Sequence, residues 1–296
     1  ESLTMYLVFD TETTGLPKNW NAPVSDTSNW PRCVQIAWQL HDEWGNLIEH
    51  KDFLIKPEGY NIPFDAEKIH GISTELATEQ GVSLQEVLQE FQAVLSKTQY
   101  LVGQNLTFDL NIMGCEFYRM QQETNLSSIP VLDTCTEKTA ELCQLPGGRG
   151  GKFKLPTLTE LHFKLFGVPF NEAHNATADV EATSRCFFEL VRTDGFTQSQ
   201  LGGAENYIPE FKLKNPATIN SFGLIHKNLK EESEKIKKAQ IRTEEPKIID
   251  LSGNKSRLAD VPFSHLHNHT QYSILQATTR IKTLVKRAVE FKSPAV

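Results

Sequence analysis

The most constraining stretch of this sequence is a short apolar run that ends in two acidic residues. Residues 6–9 (YLVF) are consecutively apolar, which is typical of a strand buried on both faces, and Asp10 and Glu12 follow at i and i+2. A pleated backbone sends side chains at that spacing to the same side. Two desolvated carboxylates so close together repel each other, so the stretch predicts a divalent cation. For an isolated D-x-E, a strand end whose acids reach solvent is the more common case.

Size and composition restrict the class of protein. A chain of 296 residues with 39% hydrophobic content can form one large or two modest domains. The sequence has no apolar run of membrane-spanning length and no signal-peptide pattern, which favours a soluble, intracellular protein with no membrane partner. Its five cysteines lack C-x-x-C spacing, so neither a disulfide framework nor a zinc site is predicted.

The charge is distributed unevenly along the chain. Residues 1–203 carry 14 basic and 27 acidic side chains, a net charge of −13, whereas residues 204–296 carry 16 and 10, a net charge of +6. Binding of a nucleic-acid duplex over a broad surface requires a basic stripe. The acidic part therefore needs cations and a small basic loop if it handles nucleic acid.

The remaining patterns predict an α/β domain with a mixed five-stranded sheet flanked by helices. Four further strands are predicted at residues 34–40, 51–55, 100–103 and 131–133. Helices are predicted at residues 64–70, 83–96, 108–120, 157–166 and 176–192, with a shorter one ending near residue 143. A strand meander followed by β-α-β-α units implies this mixed topology.

Three segments do not fit regular elements. Residues 16–32 read as a long loop leaving the acidic stretch, with Trp20 and Trp30 expected against the core. Residues 146–154 form a basic, glycine-rich loop. Residues 195–260 are expected to form a charged linker region, in which the almost wholly charged run at 227–243 is a solvated helix or a linker and not a core element.

Two downstream motifs make the acidic stretch at Asp10 and Glu12 a specific signal. Asn105-Leu106-Thr107-Phe108-Asp109 follows a short apolar strand, and Asp179 follows His174 by five residues on a predicted helix. The ordered motifs D-x-E-T-T-G, N-x-x-F-D and H-x-x-x-x-D resemble those of the DEDDh 3'-5' exonucleases, the DnaQ-like family of the proofreading epsilon subunit of bacterial DNA polymerase III. The resemblance covers residues 5–194 and implies a ribonuclease H-like fold.

The chemistry of these side chains agrees with the cleavage of a phosphodiester. Asp10, Glu12, Asp109 and Asp179 supply hard oxygen ligands, and four acids suit two divalent cations, Mg²⁺ or Mn²⁺. A neutral imidazole at His174 can accept a proton from the attacking water. For a single histidine, a surface or capping role is the alternative.

Substrate contacts are expected beside the acids. The resemblance implies that Thr13 and Thr14 meet the terminal 3'-hydroxyl. Leu16 and Phe108 are candidates for apolar contact with the terminal base or sugar, although Phe108 also suits the core. Asn105, in the second motif, is another candidate for contact with the substrate.

Two more substrate contacts are predicted farther from the acids. His70 lies in Lys68-Ile69-His70-Gly71-Ile72, which resembles a family segment near the nucleotide pocket; a histidine at a helix end is the other interpretation. Arg149 and Lys152, in the glycine-rich loop, are candidates for upstream phosphates. A solvated loop without a substrate role is equally compatible with the sequence.

The tail suggests a larger parent protein. His265-Leu266-His267-Asn268-His269 opens a stretch, HLHNHTQYSILQ, that resembles the start of the PHP domain of the polymerase III alpha subunit. We therefore expect an exonuclease domain at 5–194, a linker at 195–260 and a truncated PHP-like start at 261–296. The resemblance implies a polymerase III catalytic domain as partner, in the same parent chain, and a cytoplasmic bacterial location.

These observations favour a metal-dependent 3'-5' exodeoxyribonuclease that proofreads single-stranded or frayed DNA 3' ends. One alternative keeps the chemistry but changes the substrate to short RNA. Another is an inactive module that tethers a polymerase.

Overall fold

The computed structural model describes residues 4–169, 175–202, 205–224, 227–243 and 281–290. It divides into two compact units, Glu1–Ile241 and Arg242–Val296. In the second unit the structure describes the helix Ile281–Glu290, whereas the rest of the PHP-like start expected at 261–296, including His265 to His269, lies outside the described residues.

Five strands of the first unit form one mixed sheet. They are β1 Tyr6–Thr13, β2 Cys33–His41, β3 Leu47–Leu54, β4 Tyr100–Gly103 and β5 Val131–Asp133. The order is β3-β2-β1-β4-β5, and β1 runs antiparallel to β2 and parallel to β4. The predicted α/β class and mixed five-stranded sheet are confirmed.

Helices of the first unit flank this sheet. Those described are α1 Phe64–His70, α2 Thr74–Gln80, α3 Leu84–Leu95, α4 Thr107–Arg119, α5 Glu137–Cys143, α6 Leu158–Phe166, α7 Ala176–Arg192, α8 Tyr207–Lys214 and α9 Leu229–Thr243. Helix α10, Ile281–Glu290, belongs to the second unit. The sequence did not predict α2 and α8. Helix α2 has only Leu76 and Ala77 buried, which is too few to produce a visible apolar period.

The alternation of side chains along β1 sends its residues to two different layers. Leu7 and Phe9 lie in a core cluster with α3 and α4. Tyr6 and Val8 lie in a second cluster with α7. Because side chains alternate along a strand, Asp10 and Glu12 continue the face that is covered by α7.

The linker expected at residues 195–260 is corrected by the structure as far as residue 241. Phe211 of α8 is fully buried, with its ring centroid 6.0 Å from that of Phe188 on α7. Helix α9 buries Leu229, Ser233 and Ile236 at i, i+4 and i+7. Helices α8 and α9 therefore belong to the body, and its compact unit extends beyond residue 194 to residue 241.

Among the described helices, none combines the length and the apolar character needed to cross a membrane.

Candidate active site

Three of the predicted catalytic acids meet at one end of the sheet. Asp10 and Glu12 lie on the α7 side of β1, and Asp179 lies in the first turn of α7. One carboxylate oxygen from each residue lies within 4.8 Å of the others. Acids separated by almost 170 positions in sequence therefore form one cluster of oxygen donors.

The fourth acid, Asp109, is held from the other side of β1. Its Oδ1 accepts hydrogen bonds from the Thr11 main-chain N, at 3.0 Å, and from Thr11 Oγ1, at 2.6 Å. Thr11 points away from Asp10 and Glu12, towards α4, because neighbouring residues on a strand face opposite sides. Asp109 is thus adjacent to the three clustered acids but is not part of the group within 4.8 Å.

Another carboxylate, that of Asp133, fixes the turn that precedes α4. Its Oδ1 accepts from the main-chain N of Asn105 at 2.8 Å, and its Oδ2 accepts from that of Leu106 at 2.9 Å. Asn105 has a φ of +60°, a left-handed conformation that asparagine adopts more readily than most residues. The sequence analysis did not identify Asp133, although an acid at a strand end beside the second motif was a visible signal.

A network of polar side chains fixes the start of α7. Gln35, the register partner of Glu12, donates from Nε2 to Asp52 Oδ1 at 2.9 Å and accepts from the Ala176 N at 3.3 Å. Asp52 Oδ2 accepts from Thr177 Oγ1. The sequence analysis also missed this network, for which the signal was a glutamine, Gln35, within a largely apolar strand.

Burial and mutual repulsion raise the pKa values of the acids. Burial, and then the charges of Asp179 and Asp109, raise the pKa of Glu12 to about 8. The pKa of Asp10 lies well above its ordinary value, with burial as the largest cause and the other three acids as further causes. Burial raises the pKa of Asp109 to about 7, although the hydrogen bonds from Thr11 oppose this rise.

This donor set fits a divalent cation. Carboxylate oxygens are the ligands that Mg²⁺ and Mn²⁺ prefer, and a cation would replace the protons that the raised pKa values would otherwise retain. The cluster that could hold one consists of Asp10, Glu12 and Asp179. Asp109, held by Thr11, lies close enough for its charge to raise the pKa of Asp10.

The predicted catalytic base is not among the described residues. His174 lies in the segment 170–174, outside the part of the chain that the structure describes. The next residue, Asn175, caps α7 by accepting a hydrogen bond from the Thr177 N at 3.1 Å. The role of His174 stays a prediction.

The residues predicted to contact the 3'-hydroxyl, Thr13 and Thr14, lie at the end of β1 and directly after it. Thr13 Oγ1 donates to the Gly15 carbonyl at 2.7 Å, and Thr14 N donates to the Arg32 carbonyl at 2.9 Å. His70 is buried, and its Nε2 donates to the Thr13 carbonyl at 3.2 Å. Leu16 is 72% exposed, so its side chain is accessible to a ligand.

An aromatic pair lies beside the second motif. Phe108 is partly buried against the core, and its ring centroid lies 5.7 Å from that of Trp20. Trp20 is 54% exposed, which corrects the expectation that it is tucked against the core, whereas Trp30 is buried as expected. Trp20 and Phe108 therefore present aromatic surface at the rim of the site.

The basic residues of the glycine-rich loop are largely paired with acids. Lys152 Nζ lies 2.5 Å from Glu137 Oε1, and Lys154 Nζ lies 2.7 Å from Glu160 Oε1. Arg149 is exposed beside a cavity of about 740 Å³ between this loop and α5. The ion pairs reduce the positive charge that the two lysines could offer to a phosphate.

Comparison with known proteins decides the family. The model of the Exonuclease family, RNase_T, matches residues 7–187, a span that contains all four acids. This chain belongs to that exonuclease family.

Curated relatives of this exonuclease are long polymerases. The PolC-type DNA polymerase III of Streptococcus thermophilus is 33% identical over 245 residues, which cover 73% of this chain and 15% of the relative. That of Streptococcus pneumoniae is 32% identical over 187 residues, covering 63% of this chain and 11% of the relative. The chain thus spans only a small part of the relatives it matches.

Solved structures support the ribonuclease H-like fold of the exonuclease. A structure of exonuclease I matches with a TM-score of 0.52 and 25% identity, over 67% of this chain and 42% of that one. The zinc-bound complex of Escherichia coli exonuclease I with single-stranded DNA matches with a TM-score of 0.51 and 27% identity, over the same shares.

Proposed function

We propose that residues 5–194, with the packed segment that follows them, form a 3'-5' exodeoxyribonuclease that removes nucleotides from single-stranded or frayed DNA 3' ends. The observation that carries this proposal is the cluster of Asp10, Glu12 and Asp179, with oxygens within 4.8 Å of one another. The family match supports nuclease chemistry in the same residues.

The first of two cations, Mg²⁺ or Mn²⁺, would be held by Asp10, Glu12 and Asp179. Because Thr11 donates to Oδ1 of Asp109, the Oδ2 atom of Asp109 is the ligand proposed for the second cation. Such ions, when bound, stabilise charge developing on the phosphate and lower the pKa of a bound water. The protein fixes the positions of the carboxylates.

His174 is proposed as the general base that accepts the proton of the attacking water. It precedes Asn175, the N-cap of the helix that carries Asp179, in sequence. A histidine titrates close to neutral pH, which suits proton transfer under ordinary conditions.

The substrate and the biological role are inferred from the relatives. The similar curated proteins are polymerases, and one similar structure is a complex with single-stranded DNA. DNA is therefore preferred to short RNA, and the domain is proposed to proofread for a polymerase III catalytic domain in the same parent chain. The complete set of acids argues against an inactive tethering module.

The decisive experiment measures hydrolysis of a 5'-labelled single-stranded DNA oligonucleotide in Mg²⁺ by the chain and by Asp10→Asn. We expect products that shorten stepwise from the 3' end, and a loss on the order of a hundredfold or more in the variant. Asp65→Asn, at an exposed position of α1, is the matched control and should retain activity. Unchanged hydrolysis by Asp10→Asn would contradict the assignment, and faster cleavage of a matched RNA would redirect it to RNA.

A further inference from the structure

Helix α9 contacts the connection between α1 and α2 through one buried hydroxyl. Ser233 Oγ donates to the Gly71 carbonyl at 2.6 Å and accepts from the Ser73 main-chain N at 3.0 Å. Ser233 is only 2% exposed. The hydroxyl therefore satisfies two buried main-chain groups on either side of Ile72.

Several further contacts hold α9 in this position. Leu229 and Ile236 share a core cluster with Ile72, and Lys237 forms an ion pair with Glu67 of α1.

Glycine is required where the two segments meet. Gly71 has a φ of +78°, and a Cβ added there would lie 2.7 Å from the Lys230 main-chain N. The main chains of α9 and of the α1–α2 connection thus approach each other closely, which places Ser233 accurately.

The same connection determines which ring nitrogen of His70 carries the proton. Ile72 N donates to His70 Nδ1 at 3.1 Å, so Nδ1 is an acceptor. His70 Nε2 lies 3.2 Å from the Thr13 carbonyl, which can only accept, so Nε2 is the donor. These two bonds require the neutral tautomer with its proton on Nε2. Thr13 directly follows Glu12 on β1.

We propose that Ser233 is a positioning residue for the candidate active site. By fixing the peptide groups on both sides of Ile72, it keeps the Ile72 N–H directed at His70 Nδ1. His70 then remains in the tautomer that donates to the Thr13 carbonyl, which holds the end of β1 and Glu12 in place. The catalytic part of this inference rests on the proposed nuclease function. Residue 233 lies outside the family match at 7–187, so the family motifs do not supply it.

The test compares Ser233→Ala with wild type in the full 296-residue chain. Loss of the hydroxyl leaves the Gly71 carbonyl and the Ser73 N–H without this partner. We expect the ¹⁵N chemical shifts of the His70 ring to move from the pure Nε2–H tautomer towards a mixture. On a single-stranded DNA oligonucleotide in Mg²⁺, kcat should fall about tenfold while KM stays within about twofold, because a small displacement of a catalytic group affects the chemical step.

Two control variants separate this role from general stability. Ser184→Ala removes a hydroxyl that is equally buried but makes no hydrogen bond within the described structure, so both readouts should match wild type. Lys237→Ala weakens the attachment of α9 without touching the hydroxyl. It should leave the His70 tautomer and kcat close to wild type.

A double-variant cycle tests the route through the histidine. In a His70→Gln background, Ser233→Ala should cause no further loss of kcat, because glutamine has no ring tautomer for Ser233 to control. A wild-type tautomer and kcat in Ser233→Ala would overturn the proposal, and so would equal losses in Ser233→Ala and Lys237→Ala. A wild-type chain without nuclease activity would defeat the proposed function, while the ¹⁵N shifts would still decide whether Ser233 controls His70.

Discussion

Thr11 separates the acids of the site into two kinds. Its neighbours Asp10 and Glu12 face α7 and cluster with Asp179, whereas Thr11 itself faces α4 and bonds to Asp109 through both its main-chain N and its hydroxyl. Donors that favour the charged form of a carboxyl lower its pKa. Thr11 thus promotes ionisation of Asp109 against the effect of burial.

The first prediction concerns this hydroxyl. Thr11→Val keeps the side-chain shape but removes the donor at 2.6 Å from Asp109 Oδ1, so the pKa of Asp109 should rise further. We expect the Mg²⁺ concentration for half-maximal nuclease activity to increase about tenfold, as for other groups that orient metal ligands.

Thr78→Val is the matched control, because Thr78 is an exposed residue of α2 whose hydroxyl bonds only to its own helix. It should leave the Mg²⁺ titration unchanged. Equal titrations for both variants and wild type would show that the Thr11 hydroxyl does not support a metal ligand.

The second prediction is a pH dependence of stability without metal. The pKa of Glu12 rises from 4.5 in the unfolded chain to about 8 in the folded one, so the folded state binds this proton more tightly. Its stabilising contribution is complete below the unfolded value and is lost as the pH rises to the folded value. In EDTA, Tm should therefore fall from about pH 5 to about pH 8.

Added Mg²⁺ should reverse this trend. The cation binds ionised carboxylates, so it should raise Tm more at the alkaline end of the range than at the acidic end. Glu12→Gln should reduce the pH dependence in EDTA. A slope that is the same with and without Glu12 would mean that another group controls it.

At the scale of elements, strands were predictable where burial is uniform. The strands predicted from the run at residues 6–9 and at residues 34–40 agree with β1 and β2, whose residues are almost all buried. The next strand was predicted at residues 51–55, whereas β3 runs Leu47–Leu54, because its residues are only partly buried or exposed and give a weak pattern. The packing of α9 was misjudged because, among its residues up to 240, whose side chains the structure describes, Leu229, Ser233 and Ile236 alone are buried, between many charged residues. A stripe that includes a serine and only two apolar residues does not stand out in sequence.

In the candidate site, the acids could be predicted from sequence because each motif places a carboxylate at a strand end or in a helix start. The residues that support the site could not be predicted. Gln35, Asp52 and Ser233 act through partners 17 to 162 positions away. Such pairings depend on the tertiary fold, and a single sequence does not reveal them.

The third prediction tests how β2 positions α7. Gln35→Met removes the contacts with Asp52 and the Ala176 N, and we expect a stability loss of about 1–3 kcal/mol together with a reduced kcat. Gln39→Met is the matched control, because Gln39 is equally buried on the same strand but bonds to His41 instead.

Both variants should lower Tm, as measured by thermal unfolding. Only Gln35→Met should lower kcat when rates are compared well below each Tm. If the two variants reduced kcat equally, the network would be contributing to stability rather than to the placement of Asp179.

At the scale of the molecule, the compact unit that contains the site extends beyond the family match. That match ends at residue 187, whereas the unit extends to residue 241. Helix α8 covers Phe188 with Phe211, and Ile219 N donates to Glu189 Oε2 at 3.0 Å. The segment after α7 thus closes the core on the α7 side.

The fourth prediction is that a chain ending at residue 194 is much less stable than one ending at residue 243. The truncation uncovers the core surface beneath Tyr207 and Phe211, and each fully buried side chain contributes about 1.5–3 kcal/mol. Thermal unfolding of the two chains checks this, with a chain ending at residue 243 expected to match the Tm of the first unit in the full chain. Equal Tm values for both truncations would restore the linker interpretation.

The docking of residues 205–240 also affects how the nuclease would serve a neighbouring polymerase. A segment that packs on the body adds no slack to a tether, and the local concentration of two joined domains depends on the length of chain that can move between them. Any estimate of how often a primer end could pass from one active site to the other should therefore leave α8 and the part of α9 before Arg242 out of the mobile length.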